Sequence, residues 1–255
     1  EPLGKVSDVK LEPCGGVLND VYLLRFGRGD MEEKALVKKY QNWVGFKWFP
    51  LALWTLGTQN FSVLGRSRLE REYAISSLLQ RQGCPVPSVY HVNLNRLILI
   101  REFVEGENLV DTVRDVLLKG ESFEGAGRLR SLGGLVAQVH SLGVTIGDCK
   151  PENFIASSSE KIYIIDLEQG ADKGNPVWDL AELLYYSGHY ASISTNLEYV
   201  SDLAKMFTKG YLEGGGDPKK VAAIGGIQYT KVFSLFTLPQ VIYTISKTCR
   251  EEASR

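Results

Sequence analysis

The chain contains 255 residues, of which 44% are hydrophobic and 23% charged, and its formal net charge is −1. These are ordinary globular values, and the length suits one large domain or two lobes around a cleft. The longest strongly apolar stretch, Trp48–Leu56, is too short to span a bilayer and contains Pro50. The four cysteines form no C-x-x-C pair, and the N-terminal residues lack an apolar signal core. We therefore expect a cytoplasmic protein without a membrane partner, a zinc knuckle or a disulfide framework.

The first two predicted strands, Val6–Leu11 and Val21–Phe26, flank a turn that contains Gly15 and Gly16. Glycine lets backbone N–H groups approach phosphates without a clash from a Cβ atom. We therefore assign Gly15 and Gly16 to nucleotide binding, although an ordinary hairpin turn fits the same residues.

A third predicted strand, Lys34–Tyr40, contains Ala35-Leu36-Val37-Lys38. This run is close to the V-A-I-K pattern, in which the lysine contacts the phosphates of ATP. Lys39 points to the opposite face of the strand, whereas Leu36 and Lys38 share one face. Lys38 can therefore bind nucleotide only if that face lines the cleft. The alternative is a pair of solvated lysines.

Between Arg66 and Gln82 the apolar residues repeat with helical spacing, after a cluster of charged residues. In sites with a V-A-I-K-type lysine, a glutamate on the following helix pairs with that lysine. Glu70 and Glu72 are both candidates, and they point about 200° apart on a helix. The residues by themselves leave this choice open.

The next predicted element is a hairpin of Val89–Val92 and Leu97–Phe103, and Glu102 to Gly106 occupy the position of a hinge between lobes. Backbone groups at Glu102 and Val104 would meet the adenine, an assignment that rests on chain order alone. Further helices are predicted at Asn108–Lys119, Leu129–Ser141, Trp178–Tyr186, Leu197–Leu212 and Lys219–Lys247, the last interrupted by Pro239. His140, at the end of the second of these helices, is expected to be a buried structural histidine rather than a base.

The most informative stretch follows His140. Asp148-x-Lys150-x-x-Asn153 matches the D-x-K-x-x-N form of a kinase catalytic loop, and a predicted strand, Ile162–Ile165, ends in Asp166. Phosphoryl transfer from ATP needs a carboxylate to orient the hydroxyl, here Asp148, and a cation to offset charge, here Lys150. Mg²⁺ or Mn²⁺ takes oxygen ligands, here Asn153 and Asp166. A solvated, turn-forming loop is the alternative.

Taken together, these residues resemble the short atypical branch of the protein-kinase-like fold, which includes the RIO kinases, the kinase of the KEOPS tRNA-modifying complex and archaeal RNA kinases. The run from Glu72 to Pro87, E-x-x-x-x-x-L-L-x-x-x-G-C-P-V-P, is similar to that branch's helix followed by G-V-P-V-P, which selects Glu72 over Glu70. The resemblance implies an α+β, bilobal fold with a β-rich N-lobe (1–104, with an insert at 41–65) and a helical C-lobe (105–255). It also implies ATP with Mg²⁺ or Mn²⁺.

The departures from the kinase pattern are informative. Ile146-Gly147-Asp148 replaces H-R-D, and Asp166-Leu167-Glu168 replaces D-F-G. Only 12 residues separate Asp166 from Asp179, and no A-P-E follows. We therefore expect no phosphorylation switch and no platform for an extended peptide. Asp179 is expected to bond the backbone of the catalytic loop.

The loop G-D-C-K-P-E-N differs from the G-D-L-T-T-S-N form of the KEOPS kinase, and the C-terminal tail is not strongly basic. Both differences argue against the KEOPS subunit itself.

Residues 34–71 carry a net charge of +6 in a chain whose total is −1. Basic side chains alternate there with aromatic ones, a combination that suits phosphate contact and base stacking in RNA. The alternative is an apolar helix with a solvated basic rim. The basic residues are Lys34, Lys38, Lys39, Lys47, Arg66, Arg68 and Arg71, and the aromatic ones include Tyr40, Trp43, Phe46, Trp48 and Phe49.

Two classes of function remain open. The first is an ATP-dependent kinase that acts on a macromolecular hydroxyl, with RNA, as a tRNA ribose hydroxyl, ahead of protein serine or threonine. The second is an ATPase or nucleotide-sensing subunit of a tRNA-modification complex. DNA is not expected as a partner. The presence of Lys38, Asp148, Lys150, Asn153 and Asp166 together favours chemistry, because a subunit that only senses nucleotide could lose any of them.

Overall fold

A computed structural model of the chain describes residues 7–16, 19–28, 31–42 and 61–255. The aromatic residues Trp43, Phe46, Trp48 and Phe49, together with Lys47, therefore lie outside the described residues.

An antiparallel sheet makes up most of the N-terminal part. Within the described ranges its five strands follow the order β1-β2-β3-β5-β4. They are β1 (Ser7–Gly15), β2 (Asn19–Arg28), β3 (Met31–Tyr40), β4 (Val89–Asn93) and β5 (Ile98–Glu102). The central strand, β3, pairs Leu36 with Leu23 on one side and with Arg101 on the other.

Among the residues that the structure describes, one helix packs on this sheet. Helix α1 (Gly65–Arg81) begins after Leu64 and ends before Gly83, whose positive φ of 74° terminates the helix. Its Leu69 is fully buried with Tyr40 and Leu99 of the sheet. This apolar cluster is small, so polar contacts contribute much of the attachment of α1 to the sheet.

The C-terminal part is mainly helical and contains the larger hydrophobic core. Its helices are α2 (Leu109–Lys119), α3 (Gly127–Ser141), α4 (Pro176–His189), α5 (Leu197–Glu213), α6 (Pro218–Ala223), α7 (Ile227–Phe233) and α8 (Pro239–Ala253). Asparagine side chains cap the first turns of α2, α4 and α5. Proline opens α4, α6 and α8, because its missing N–H is not needed in the first turn.

Five short strands form two small sheets in the chain that follows β5. They are β6 (Glu107–Asn108), β7 (Val144–Thr145), β8 (Phe154–Ala156), β9 (Ile162–Ile164) and β10 (Ala171–Asp172). Strand β8 lies between β6 and β9, and β10 pairs with β7. The N–H of Ile164 donates to Pro85 O at 3.0 Å, so β9 is tied to the segment that follows α1.

The structure confirms the predicted α+β fold, with a strand-rich N-terminal part and a helical C-terminal part. The helical prediction over Lys219–Lys247, interrupted by Pro239, is confirmed at Pro239 but missed a second break between Ala223 and Ile227. Three separate helices cover this region, since Gly225 and Gly226 follow the end of α6 and Pro239 begins α8. The lobe boundary after residue 104 stays a prediction. No helix in the described residues is long and apolar enough to cross a membrane.

Helices α3 and α5 approach closely where Gly133 of α3 and Gly210 of α5 each face the backbone of the other helix. A Cβ atom on Gly133 would lie 2.1 Å from the carbonyl oxygen of Phe207, whereas one on Gly134 would have Gly210 O as its nearest neighbour, at 3.8 Å. We predict that Gly133→Ala lowers the free energy of unfolding by roughly 1–3 kcal/mol, because the backbones must separate. The matched control, Gly134→Ala, should be neutral or raise it by up to about 1 kcal/mol. Urea unfolding measures both changes, and equal effects would contradict this account of the packing.

Candidate active site

Lys38 lies at the centre of a buried group of charges. Its Nζ atom is 2.8 Å from Glu72 Oε2, 2.9 Å from Glu168 Oε2 and 3.1 Å from Asp166 Oδ1. Strand β3 supplies the lysine, α1 supplies Glu72, and the segment after β9 supplies the other two carboxylates. The Tyr40 hydroxyl also donates to Glu72 Oε2. Three distant parts of the chain therefore meet at one ammonium group.

Two arginines complete this group of charges. Arg68, one turn before Glu72 on α1, is fully buried, and its Nη1 atom is 2.9 Å from Glu168 Oε1. Arg101 of β5 lies 3.4 Å from Glu72 Oε1 and donates to the carbonyl oxygen of Ile165. The described cluster thus sets three carboxylates against three cations. This balance is what buried charges require.

The charges also set the protonation of the cluster. Burial alone would lower the pKa of Lys38, but Asp166 and Glu72 raise it well above its usual value. Burial would raise the pKa of Asp166, but Lys38 and Arg101 hold it below its usual value. Lys38 is therefore an ammonium group and Asp166 a carboxylate near neutral pH, the states that phosphate and metal binding need.

The catalytic loop brings Asp148, Lys150 and Asn153 together. Lys150 Nζ lies 3.0 Å from Asp148 Oδ1, and Asn153 Nδ2 donates to Asp148 Oδ2 at 2.9 Å. Burial raises the pKa of Asp148 even though Lys150 opposes the shift. The N–H of Ile165 donates to Asn153 O at 2.9 Å, which places Asn153 beside the residue that precedes Asp166. The side-chain amide of Asn153 donates through nitrogen, so its carbonyl oxygen is the atom suited to a cation.

Two acidic residues of α4 hold the backbone of this loop. Asp179 is fully buried and accepts from the N–H groups of Ile146 at 2.7 Å and Gly147 at 2.8 Å. Glu182, one turn later, accepts from the N–H of Cys149 at 2.7 Å. The loop can therefore keep its shape without regular secondary structure.

His140 lies behind this support. Its Nε2 atom is 3.0 Å from Asp179 Oδ2, and its Nδ1 atom is 3.0 Å from the Tyr211 hydroxyl. The structure thus confirms that His140 is a buried, hydrogen-bonded residue and that Asp179 bonds the loop backbone.

A pocket opens beside the predicted hinge. It is small and open, and its space of about 260 Å³ includes part of the adjoining solvent. Leu36 lines this pocket and shares a strand face with Lys38. The face that carries Lys38 therefore lines the cleft, which nucleotide binding by Lys38 requires. Nucleotide binding itself stays a prediction. The lining residues are Leu36, Pro87, Arg101, Glu102, Phe103, Val104, Ile155 and Ile165.

The predicted glycines have the backbone geometry of a turn. Gly15 and Gly16 have φ values of 108° and 110°, which residues with a side chain rarely adopt. A Cβ atom on Gly16 would lie 2.0 Å from Asn19 O, whereas one on Gly15 would meet nothing within 4 Å. Their contact with phosphate stays a prediction.

The basic segment differs from the expectation of a free cationic surface. Lys38 and Arg68 are buried in ion pairs with carboxylates. Lys34 lies 2.5 Å from Glu105, and Arg66 lies 2.9 Å from Glu70. The expectation that Arg68 contacts RNA was therefore wrong, because its guanidinium is enclosed between Glu168 and Gln41. Glu70 is a surface residue, and Glu72 is the glutamate that pairs with Lys38.

Several residues of the site could not be predicted as such from the sequence. Arg68 was grouped with the basic residues suited to phosphate contact, Arg101 had no predicted role, and Glu168 was noted only as part of the run that replaces D-F-G. Glu182 lies three residues after Asp179, on the same helix face, and this spacing is the one signal that could have identified it.

The sheet, helix, hinge and catalytic loop together define an atypical protein-kinase-like protein. The profile of the RIO domain family matches residues 55–182, half of the chain, and the chain belongs to that family. The chain is also similar to the KEOPS complex subunit Bud32 of Pyrococcus abyssi, with 28% identity over 166 residues that cover 61% of this chain and 68% of the relative. The protein is thus an atypical kinase or a KEOPS-type subunit.

We predict that Glu182→Gln stabilises the protein increasingly as pH rises. Burial and the nearby Asp148 raise the pKa of Glu182 well above its usual value, so folding penalises the charged carboxylate. The wild-type free energy of unfolding should therefore fall from about pH 4.5 upward, a loss that the variant avoids. Urea unfolding between pH 5 and 8 measures the difference.

The control is Glu182→Leu, which removes the acceptor for the Cys149 N–H and should destabilise at every pH. A Glu182→Gln difference independent of pH would contradict the prediction.

Proposed function

We propose that the protein is an ATP-dependent kinase that transfers the γ-phosphoryl group to a hydroxyl of a macromolecule. The observation that carries the proposal is the meeting of Lys38 with Glu72 at 2.8 Å and with Asp166 at 3.1 Å. A lysine fixed by a helix glutamate beside a metal-binding aspartate is the arrangement that positions ATP in kinases.

The catalytic loop supplies the remaining chemistry. Asp148 orients the acceptor hydroxyl and accepts its proton, and its position beside Lys150 keeps a cation where charge moves with the phosphoryl group. The raised pKa of Asp148 makes it a better proton acceptor than an ordinary aspartate. The product is a phosphate ester, and ADP leaves.

Asn153 and Asp166 would hold Mg²⁺ or Mn²⁺. Both offer oxygen atoms, the lowered pKa of Asp166 keeps it ionised, and the side-chain nitrogen of Asn153 is already occupied by Asp148. A bound divalent ion would neutralise charge on the ATP phosphates.

The pocket at the hinge would take the base. Glu102 and Val104 supply backbone groups at its edge, and Leu36, Ile155 and Ile165 give it apolar walls. Gly15 and Gly16 would cover the phosphates. We place the lobe boundary at this hinge, after residue 104.

The acceptor that we propose is an RNA hydroxyl. Support comes from a strip in which two tyrosine rings lie between two basic side chains, beginning at Lys150 of the catalytic loop. Lys150 Nζ lies 5.9 Å from the Tyr186 ring, and the Tyr186 and Tyr190 rings are 6.3 Å apart. The Arg114 guanidinium lies 4.9 Å from the Tyr190 ring, and the Tyr190 hydroxyl donates to Glu152. Such a strip can stack a base and pair with phosphate.

A second candidate is an ATPase subunit of a larger assembly. The similarity to a subunit of the KEOPS complex favours it. The two functions differ in their products, since an ATPase releases inorganic phosphate without any acceptor.

We predict that Asp148→Asn lowers phosphoryl transfer by roughly 10²–10⁴-fold while ATP affinity is kept, because only proton acceptance is lost. Transfer from γ-labelled ATP and equilibrium ATP binding are measured on the same preparation. Asp172→Asn, on exposed strand β10, is the control. Near-normal transfer by the Asp148 variant would remove this residue from the proposed role.

We predict that Tyr186→Ala and Arg114→Gln weaken phosphorylation of RNA but not ATP binding. Loss of one stacked base costs about 1–3 kcal/mol, and RNA affinity should fall steeply with salt. Exposed Tyr243 and Arg130 offer controls of the same types, as Tyr243→Ala and Arg130→Gln.

Total RNA and a soluble protein fraction serve as separate acceptors in this experiment. Label that enters protein but not RNA would make a protein hydroxyl the acceptor.

A further inference from the structure

The segment immediately after Asp166 reaches back into the N-terminal part through Glu168 and Gln169. Building on the proposed kinase activity, we infer that Glu168 is a positioning residue. Together with Gln169 it forms a latch that keeps α1 where Glu72 meets Lys38. The enzyme would thus be permanently assembled rather than switched.

Glu168 contacts three separate elements. Its Oε2 atom lies 2.9 Å from Lys38 Nζ and accepts from Asn19 Nδ2 at 2.8 Å, and its Oε1 atom lies 2.9 Å from Arg68 Nη1. Only 4% of Glu168 is exposed, so these contacts act with little screening by water. Arg68 in turn donates to Asn19 Oδ1 at 2.9 Å. One carboxylate thereby joins β2, β3 and α1 to the metal-binding loop.

Gln169 supplies the second half of the latch. Its Oε1 atom accepts from the N–H of Ser62 at 2.8 Å, and its Nε2 atom donates to Ser62 O at 3.1 Å. Ser62 lies just before α1 begins at Gly65, and Arg68 lies within the first turn. The latch therefore contacts the N-terminal end of the helix that carries Glu72.

Movement of α1 away from the cleft would break these contacts together. The ion pair between Arg68 and Glu168 would break, and so would that between Lys38 and Glu72. Both hydrogen bonds between Ser62 and Gln169 would also be lost. Removing one partner of a buried ion pair is strongly unfavourable. The three losses are coupled because α1 moves as one rigid element, so the displaced state is strongly disfavoured.

The latch also leaves Lys38 able to serve ATP. When the ammonium turns toward the phosphates, Glu168 keeps Arg68 and Asn19 as partners and is not left as an isolated buried charge. In switched kinases a glycine stands at this position, and phosphorylation of the activation loop orders the helix. The 12 residues between Asp166 and Asp179 offer little loop for such control.

The test uses Glu168→Gln, which keeps the shape of the side chain, and Glu168→Gly, which restores D-L-G. We expect both to lower kcat for transfer by up to roughly 10²-fold, the order of loss that a small misplacement of the catalytic groups can cause. Backbone amides of α1 should exchange hydrogen faster, while those of α5 should not change. Glu70→Gln, on the exposed side of the same helix, is the control and should change neither.

A structural role alone would lower thermal stability but leave kcat per folded molecule and α1 exchange unchanged, and that result would overturn the latch. If Glu168 variants do not fold, Gln169→Ala tests the other half with the same readouts. The double variant Arg68→Gln with Glu168→Gln should cost less than the sum of its single changes, because no buried charge is left unpaired; additive losses would contradict the pairing.

Absence of turnover in the wild type would instead reject the proposed function. The latch is still judged in that case by hydrogen exchange.

Discussion

The ion pair between Lys38 and Glu72 is the interaction on which the site depends. Both groups are almost completely buried, so removal of either would leave the other charge without its nearest partner in the protein interior. Around this pair the chain places Asp166, Glu168, Arg68 and Arg101, whose charges cancel. Because the apolar cluster between α1 and the sheet is small, this polar network also fixes the helix. The network that attaches α1 to the sheet is therefore also the network that forms the site.

The C-terminal part stabilises the irregular catalytic loop through side chains of α4. Asp179 and Glu182 accept backbone N–H groups of the catalytic loop from adjacent turns of α4. Strands β8 and β9 then carry the chain from Asn153 to Asp166. Only Asp166 touches Lys38 among the predicted catalytic-loop and metal residues, so it joins the two halves of the site. Glu168, two residues after Asp166, also contacts Lys38 and strengthens that junction.

Residues close together in the chain were the ones that sequence could identify. Asp148, Lys150 and Asn153 fall within one short loop whose spacing carries their roles, and the alternating pattern of β3 placed Lys38 opposite Lys39. Glu72 needed a family resemblance, because helical spacing alone left Glu70 open. The fold class came from the same family resemblance.

The polar network could not be predicted in the same way. Arg68 and Glu168 are 100 positions apart, and a basic residue among other basic residues resembles a solvated surface. Arg101 lies in a strand where alternation predicts only a face, and its role depends on what packs there. Charge counted along the chain was misleading, since Lys34, Lys38 and Arg68 find their carboxylate partners outside the basic segment.

The most direct test of the account uses an acyl-phosphate derivative of ATP, which transfers its acyl group to amines beside the bound triphosphate. Mass spectrometry of the digested protein locates the label. The account predicts ATP-protected acylation of Lys38 and Lys150 and none of Lys39, the exposed neighbour on the opposite strand face. Labelling of Lys39 in place of Lys38, or labelling that excess ATP does not reduce, would contradict the assignment of this cluster to nucleotide binding.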